Sequence, residues 1–262
     1  VAIVLLHAYA NPDHERRIRE ILSAVLPDLW ISLSSEVCPE IREYERMSTA
    51  SANAYVQPLM ASYLTDLDSK LRTEGAVCPL FLMTSGGGLT TVQTARAHPI
   101  RLMESGPAGG AILAGHIALE CGLDKVLSYD MGGTTAKICL IDEGKPQTSR
   151  TFEVDRQYRF TKGSGLPLRI PVIEMVEIGA GGGSIAKIDN LNRIQVGPES
   201  AGSEPGPACY DQGGEDATVT DADVALGRIA PEGFAGGSMN LSPELSVGAL
   251  ERAIGQKLNL DG

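Results

Sequence analysis

One stretch sets a carboxylate, two adjacent glycines and two hydroxyls at the end of an apolar run. It is Asp130-Met131-Gly132-Gly133-Thr134-Thr135, preceded by Val126-Leu127-Ser128-Tyr129 and followed by Ala136-Lys137-Ile138-Cys139-Leu140. The pattern predicts a strand, a tight glycine turn and a second strand. Glycine has no Cβ, so backbone N–H groups in such a turn can approach phosphate oxygens, and the Thr134 and Thr135 hydroxyls can add donors. Asp130, at the strand end, is placed to hold Mg²⁺, usually through water, because that ion gives up its hydration shell reluctantly. A plain β-hairpin also favours Gly-Gly, so the loop alone leaves both readings open.

Two further small-residue runs stand near it in character. Glu104-Ser105-Gly106-Pro107-Ala108-Gly109-Gly110 leads a predicted helix from about 107 to 121, and Gly122-Leu123-Asp124 follows. Gly179-Ala180-Gly181-Gly182-Gly183-Ser184 reads as a loop lining a ligand cleft, with a structural turn as its alternative. It is not a dinucleotide fingerprint, because Ser184 stands where G-x-G-x-x-G needs its third glycine. Pro205-Gly206-Pro207 and Gly213-Gly214 shape either a substrate-side loop or simple turns.

Other chemistries find less support. Cys209 has no base or cationic neighbour in sequence to make a thiolate, and reads as packing. His7, His14, His98 and His116 lack metal-ligand spacing, although His7, at a strand end, could face a cleft. Pro198-Glu199-Ser200-Ala201-Gly202 lacks the leading glycine of a serine-hydrolase elbow.

The elements that must position these residues alternate. Asn11-Pro12-Asp13 starts a helix carried by Ile18, Ile21, Leu22 and Val25. Strands are expected near Trp30 to Leu33, Pro79 to Met83, Ile100 to Met103, Lys125 to Tyr129 and Ala136 to Ile141, with a long helix over about 48 to 71, crossed by Pro58. Short apolar strands alternating with helices predict an α/β architecture with a mainly parallel sheet. A β-rich stretch runs to about Ile194, Arg156 to Leu168 reads as a mobile loop, and Thr220-Asp221-Ala222 is expected to cap a helix through Ile229.

Composition narrows the partners. The chain has 262 residues and a net charge of −11, which argues against nucleic acid or an anionic membrane surface. No apolar run is long enough to span a bilayer and no segment resembles a signal peptide. Five scattered cysteines without a C-x-x-C pair fit reduced thiols, so a cytoplasmic location is expected. The chain opens directly on the strand Val1 to Leu6 and stops just after a predicted helix near Leu258, which predicts a part of a longer polypeptide.

Acid, turn, Ala/Gly-rich helix, Gly-Leu-Asp, strand and Asp-x-Gly-Gly-Thr follow in the order seen in actin, hexokinase and heat-shock chaperone ATPases. The resemblance then becomes closer. Leu5-Leu6-His7-Ala8-Tyr9-Ala10-Asn11-Pro12, Leu33-Ser34-Ser35-Glu36 and Arg42-Glu43-Tyr44-Glu45-Arg46 carry it, with Glu104 to Gly110 and Asp130 to Thr134. Ile178 to Ile185, Val196 to Gly202, Pro205 to Tyr210 and Val219-Thr220-Asp221-Ala222 continue it. This ordered series resembles the hydantoinase A domain of the hydantoinase/oxoprolinase family, which includes N-methylhydantoinases, 5-oxoprolinases and ketone carboxylases.

The resemblance implies an actin/hexokinase-type (ribonuclease H-like) α/β ATPase fold, present in part. Residues 1–122 would be the end of a first lobe with its connecting helix, and 123–262 a second lobe. It implies ATP and Mg²⁺ as cofactors, a small cyclic amide of hydantoin or 5-oxoproline type as substrate, and a hydantoinase B-type partner chain or domain. Phosphorylation of the amide oxygen would open a stable lactam carbonyl to water. In the carboxylases it would activate an enol and bicarbonate. A nucleotide-gated module without catalysis is the reading from another class, disfavoured by the runs around Gly181 and Pro205. Nucleotide contacts would fall to Gly132, Gly133, Thr134, Thr135, Glu104, Ser105, Gly106, Gly181, Gly182, Gly183 and Ser184, with Asp130 at the metal. Two departures stand out. Lys137 occupies a position where the family commonly has an acid, and the chain has one Asp-x-Gly-Gly-Thr loop where the family has two facing each other. The fragment alone is therefore expected to be inactive.

Overall fold

The computed structural model describes residues 1–158, 161 and 163–260, and divides into two compact units. Unit 1 comprises residues 1–126 and 139–174, and unit 2 residues 127–138 and 175–262.

Unit 1 opens with β1 (Ala2–Ile3), α1 (Asp13–Val25), β2 (Ser32–Leu33), α2 (Ser34–Val37) and the 31-residue α3 (Glu43–Thr73). Next come β3 (Phe81–Met83), β4 (Leu89–Thr91), α4 (Val92–Ala97) and α5 (Ser105–Glu120). β5 (Lys125–Met131) and β6 (Ala136–Asp142) are sheet neighbours that run through both units. The unit closes with β7 (Lys145–Pro146), β8 (Thr148–Ser149), β9 (Phe152–Val154), β10 (Leu166–Leu168) and β11 (Val172–Ile173). Its core packs Val37, Ile100, Leu168, Ile170 and Val172 together, with Ala52, Met103, Phe152 and Val154 against them.

α1 begins as expected, with the Asn11 side chain accepting from the Asp13 N–H at 3.0 Å. α3 begins earlier than the sequence suggests, because its buried face there is polar. Arg46, Thr49, Asn53 and Gln57 are all buried on it. Arg46 donates to the carbonyls of Glu40 and Leu5 and to Ser34 Oγ, and its guanidinium lies 5.5 Å from the Tyr9 ring centre. Asn53 accepts from the Ile100 N–H and donates to the Ala97 carbonyl.

The expected strand at Ile100 to Met103 is instead a 3₁₀ turn, Pro99–Leu102. Pro99 supplies a preset φ at its first position and no N–H for a ladder. The sheet is also not mainly parallel. Among the described registered pairings β1 with β2 is parallel, and β3–β4, β6–β7, β8–β11 and β9–β10 are antiparallel. Pairs such as β6 and β7, joined only by Glu143-Gly144, can turn back but cannot cross over. The expected loop at Arg156 to Leu168 ends in β10, and residues 159, 160 and 162 lie outside the described part. Of the glycines of α5, Gly115 is required by packing within this unit. A Cβ on Gly115 would stand 2.6 Å from the Gly144 carbonyl oxygen.

Unit 2 adds β12 (Val176–Ile178), antiparallel on the first half of β6, and the hairpin of β13 (Ser184–Ile188) and β14 (Ile194–Ser200). α6 (Val219–Ala225), α7 (Pro243–Leu250) and α8 (Gln256–Leu258) follow, while Asp261 and Gly262 at the chain end lie outside the described residues. The N-cap of α6 is Thr218, two residues before the expected Thr220, in a reciprocal capping box with Asp221, and the helix ends at Ala225 and not at the expected Ile229. Ala208, Ala217 and Ala249 form one buried cluster, and Cys209, Val224 and Leu241 another. No helix among the described residues is long and apolar enough to cross a membrane.

Glu15, fully buried in the first turn of α1, ties the start of unit 1 together. It accepts from the N–H groups of Leu5 and Ser35 and from Ser34 Oγ at 2.6–2.9 Å. Burial pushes its carboxyl up, but the hydrogen bonds from Ser34, Ser35 and Leu5 outweigh it and hold it below the ordinary 4.5. Its stabilising effect is therefore present above that value and fades as pH falls through the lowered one. Glu15→Gln is expected to cost about 2 kcal/mol at neutral pH, the scale of hydrogen bonds to a charged group. Urea denaturation at a series of pH values should show the difference shrinking in acid.

Candidate phosphate site

Unit 2 holds the predicted loop at the turn between β5 and β6. Asp130 lies in β5, near its end, and is exposed; Gly132, Gly133 and Thr134 are exposed, and Thr135 is half-buried. The Gly132 N–H closes the turn on the Thr135 carbonyl at 2.9 Å.

What holds this turn open is the glycine triplet. Gly182 N–H donates to the Gly132 carbonyl at 2.9 Å, and Gly183 N–H to the Gly133 carbonyl at 2.7 Å. The two backbones touch so closely that a side chain cannot intervene. A Cβ on Gly181 would stand 2.6 Å from Thr134 N and 2.7 Å from the Gly132 oxygen, and one on Gly183 would stand 3.0 Å from the Gly133 oxygen. By contrast, a Cβ on Gly133 would meet nothing within 4 Å. The triplet's glycines serve packing, whereas those of the loop border open space.

Backbone accounting separates the two segments further. Every polar backbone group of the triplet is spent inside the protein. Gly181 N–H goes to Ser184 Oγ, and the carbonyls of Gly181, Gly182 and Gly183 accept from Ser184, Thr220 and Ala201. The N–H groups of Gly133 and Thr134 take no partner among the described residues. Two such amides in an exposed glycine turn, beside the Asp130 carboxylate, offer the donors that an anion such as phosphate requires.

The sequence did not reveal what fixes the triplet. Thr220 N–H, one of the donors a helix start leaves unpaired, is satisfied by the Gly182 carbonyl at 2.8 Å. That helix start is in turn locked by Asp221, which is fully buried. Its carboxylate accepts from the N–H groups of Ala208, Cys209 and Thr218 and from the hydroxyls of Thr218 and Ser246, at 2.8–3.3 Å. The spacing Thr218-x-x-Asp221 is the readable signal.

Glu104, Ser105 and Gly106 belong to unit 1, at the start of α5. Glu104 is the residue before the helix and takes a left-handed φ of 59°. Gly106 is exposed, and a Cβ there would meet nothing within 4 Å, so packing in this unit does not require its glycine. Lys137, in β6, stands across from Glu177 of β12. Cys209 is buried; burial and then the Asp221 charge push its thiol up to about 12, the opposite of what a nucleophile needs. Among the described residues no group of three or more His, Cys, Asp or Glu could hold a metal ion. A magnesium ion at Asp130 would therefore take most of its ligands from phosphate and water.

The packing yields a differential test. Gly181→Ala should lose about 1–3 kcal/mol, the usual cost of overpacking, because backbone must move. Gly133→Ala should stay within about 0.5 kcal/mol, as a substitution without a clash does. Thermal unfolding of both variants checks this, and equal losses would contradict it.

The family model for Hydantoinase/oxoprolinase matches residues 46–261. Caprolactamase subunit alpha of Pseudomonas jessenii is 38% identical over 99% of this chain and 36% of its own length. Acetophenone carboxylase gamma subunit of Aromatoleum aromaticum is 33% identical over 100% of this chain and 35% of its own. Among solved structures, the ATP-dependent caprolactamase from Pseudomonas jessenii matches with a TM-score of 0.72 at 35% identity, covering 99% of this chain and 37% of that one. Nucleotide-free acetone carboxylase, from a study of ATP-dependent acetone carboxylation, matches with a TM-score of 0.72 at 28% identity, covering 99% and 36%. The chain thus spans about a third of the length of these relatives and shares their α/β ATPase-type fold. The chain belongs to the hydantoinase/oxoprolinase family.

Proposed function

We propose that this chain carries one phosphate-binding loop of an enzyme that couples ATP hydrolysis to the opening of a cyclic amide. The observation that carries the reading is the pair of amides at Gly133 and Thr134 that take no partner among the described residues, in a turn whose carbonyls are bound by the triplet. Gly132, Gly133, Thr134 and Thr135 would cradle phosphate, and Asp130 would bind Mg²⁺. Gly181, Gly182, Gly183 and Ser184 would act as support, since their own donors are already used. Glu104, Ser105 and Gly106 remain candidates for nucleotide contact. The division at about residue 122 into the end of a first lobe and a second lobe belongs to the same proposal.

Phosphoryl transfer to an amide oxygen would supply the activation that a lactam carbonyl lacks. The chain's part is positioning and neutralisation of charge, as in other phosphoryl transfers. The name of the caprolactamase relative, an ATP-dependent enzyme of a cyclic amide, favours this substrate class. The matches to acetone and acetophenone carboxylases support a second reading, the nucleotide-binding subunit of a ketone carboxylase. Relatives that are subunits support a partner chain, for which a hydantoinase B-type protein is our candidate.

Calorimetric titration with ATP and Mg²⁺ tests the site. The chain should bind, and Asp130→Ala should weaken binding about tenfold or more, a difference of about 1.4 kcal/mol. Equal binding by both would rule out Asp130 as the metal-linked position.

The substrate class is tested on the longer parent protein together with its partner. Phosphate release should rise when hydantoin, 5-oxoproline or a related lactam is added. A rise only with a ketone and bicarbonate would favour the second reading. Release independent of any substrate would overturn both.

A further inference from the structure

Unit 1 contains an open surface cavity of about 310 Å³ lined by the exposed residues Trp30, Gln93, Arg96 and Ala97 and by the buried Gln57. Trp30 precedes β2, Gln57 belongs to α3, and the other three lie on α4. The volume is in the range of small-molecule sites, roughly 300–1,000 Å³.

Its floor is fixed. Gln57 is buried, accepts from Ser32 Oγ at 2.9 Å and donates to the Ala97 carbonyl at 3.3 Å. Its walls are not. Among the described residues, the Trp30 indole N–H, the Gln93 carboxamide and the Arg96 guanidinium have no hydrogen-bond or ion-pair partner within the protein. No acidic side chain lines this cavity, and the exposed Arg96 stands at its edge without an ion-pair partner among the described residues.

The lining specifies a ligand by chemistry. A guanidinium presents a planar fork that matches a carboxylate with two parallel hydrogen bonds. An indole gives a flat apolar wall on which a ring can stack, and its N–H is a donor only. Gln93 can donate or accept, and nothing in the lining repels an anion. We propose that this cavity binds a small planar carboxylate, an aromatic acid in class. It is a site of unit 1 alone and does not depend on the phosphate loop of unit 2.

Trp30 is the single tryptophan of the chain, so its fluorescence reports on this cavity directly. Benzoate is the probe, with benzyl alcohol as the matched neutral ring and inorganic phosphate as the anion without a ring. Benzoate should change the emission saturably, with half-saturation at about 10 mM or below. Benzyl alcohol and phosphate should each bind about tenfold more weakly or worse. Arg96→Gln, an exposed substitution, should weaken benzoate by a similar factor and leave the benzyl alcohol response unchanged. Arg96→Lys should recover only part of the affinity, because an ammonium lacks the fork. Three results would each overturn the proposal: no saturable change with benzoate, an unaltered benzoate response in Arg96→Gln, or phosphate binding as strong as benzoate.

Discussion

Two backbone hydrogen bonds, from Gly182 to Gly132 and from Gly183 to Gly133, determine the form of the turn between β5 and β6. A glycine-rich turn by itself is conformationally loose, since glycine gains little from any one backbone state. Here the looseness is removed from outside. The loop's carbonyls are bound by the triplet, while the N–H groups of the same peptide units, those of Gly133 and Thr134, take no partner among the described residues. A single constraint therefore both orders the turn and orients its donors. The entropy of arranging those donors is met on folding and not when an anion arrives, which is what preorganisation means for binding.

The support is layered. Asp221 collects five donors in the interior, fixing the start of α6 and the segment around Cys209. The start of α6 holds the triplet through Thr220, and the triplet holds the loop. Each layer pairs a group that burial would otherwise leave unsatisfied, at a cost of about 1–3 kcal/mol for each one unmade. Unit 1 repeats the device with Glu15 and Arg46, two buried charges that share Ser34 and tie Leu5, just after β1, to α1 and α3. In both units a buried carboxylate, beside the apolar clusters, joins segments separated in sequence.

That arrangement explains what the sequence could and could not reveal. The strand–turn–strand form of the Asp130 to Thr135 segment was legible because its parts are consecutive in sequence. α1, α5 and the strands flanking the loop were legible for the same reason. The triplet's function was not, because its partner lies far along the chain and hydrogen-bond pairing between loops leaves no periodic trace. It was read as lining a cleft, and its donors turn out to be used internally. α3 was begun too late because Arg46 and Thr49 are polar on a buried face, where a hydrophobic period cannot find them. Strand direction was misjudged because short apolar runs look alike whether they cross over or turn back. Cys209 was read correctly as packing, since its surroundings in sequence already lacked a cation. Family membership was legible from ordered short motifs spread along almost the whole chain.

The central claim is that the triplet's amides are structural and the loop's amides are the binding donors. Amide hydrogen exchange followed by NMR, with and without ATP and Mg²⁺, separates the two sets directly. In the free chain, Gly182 and Gly183 should be protected, and Gly133 and Thr134 should exchange rapidly. On saturation with ATP and Mg²⁺, Gly133 and Thr134 should gain protection while Gly182 and Gly183 change little. Rapid exchange at Gly182 and Gly183 in the free chain, or protection gained there and not at Gly133 and Thr134, would contradict the account.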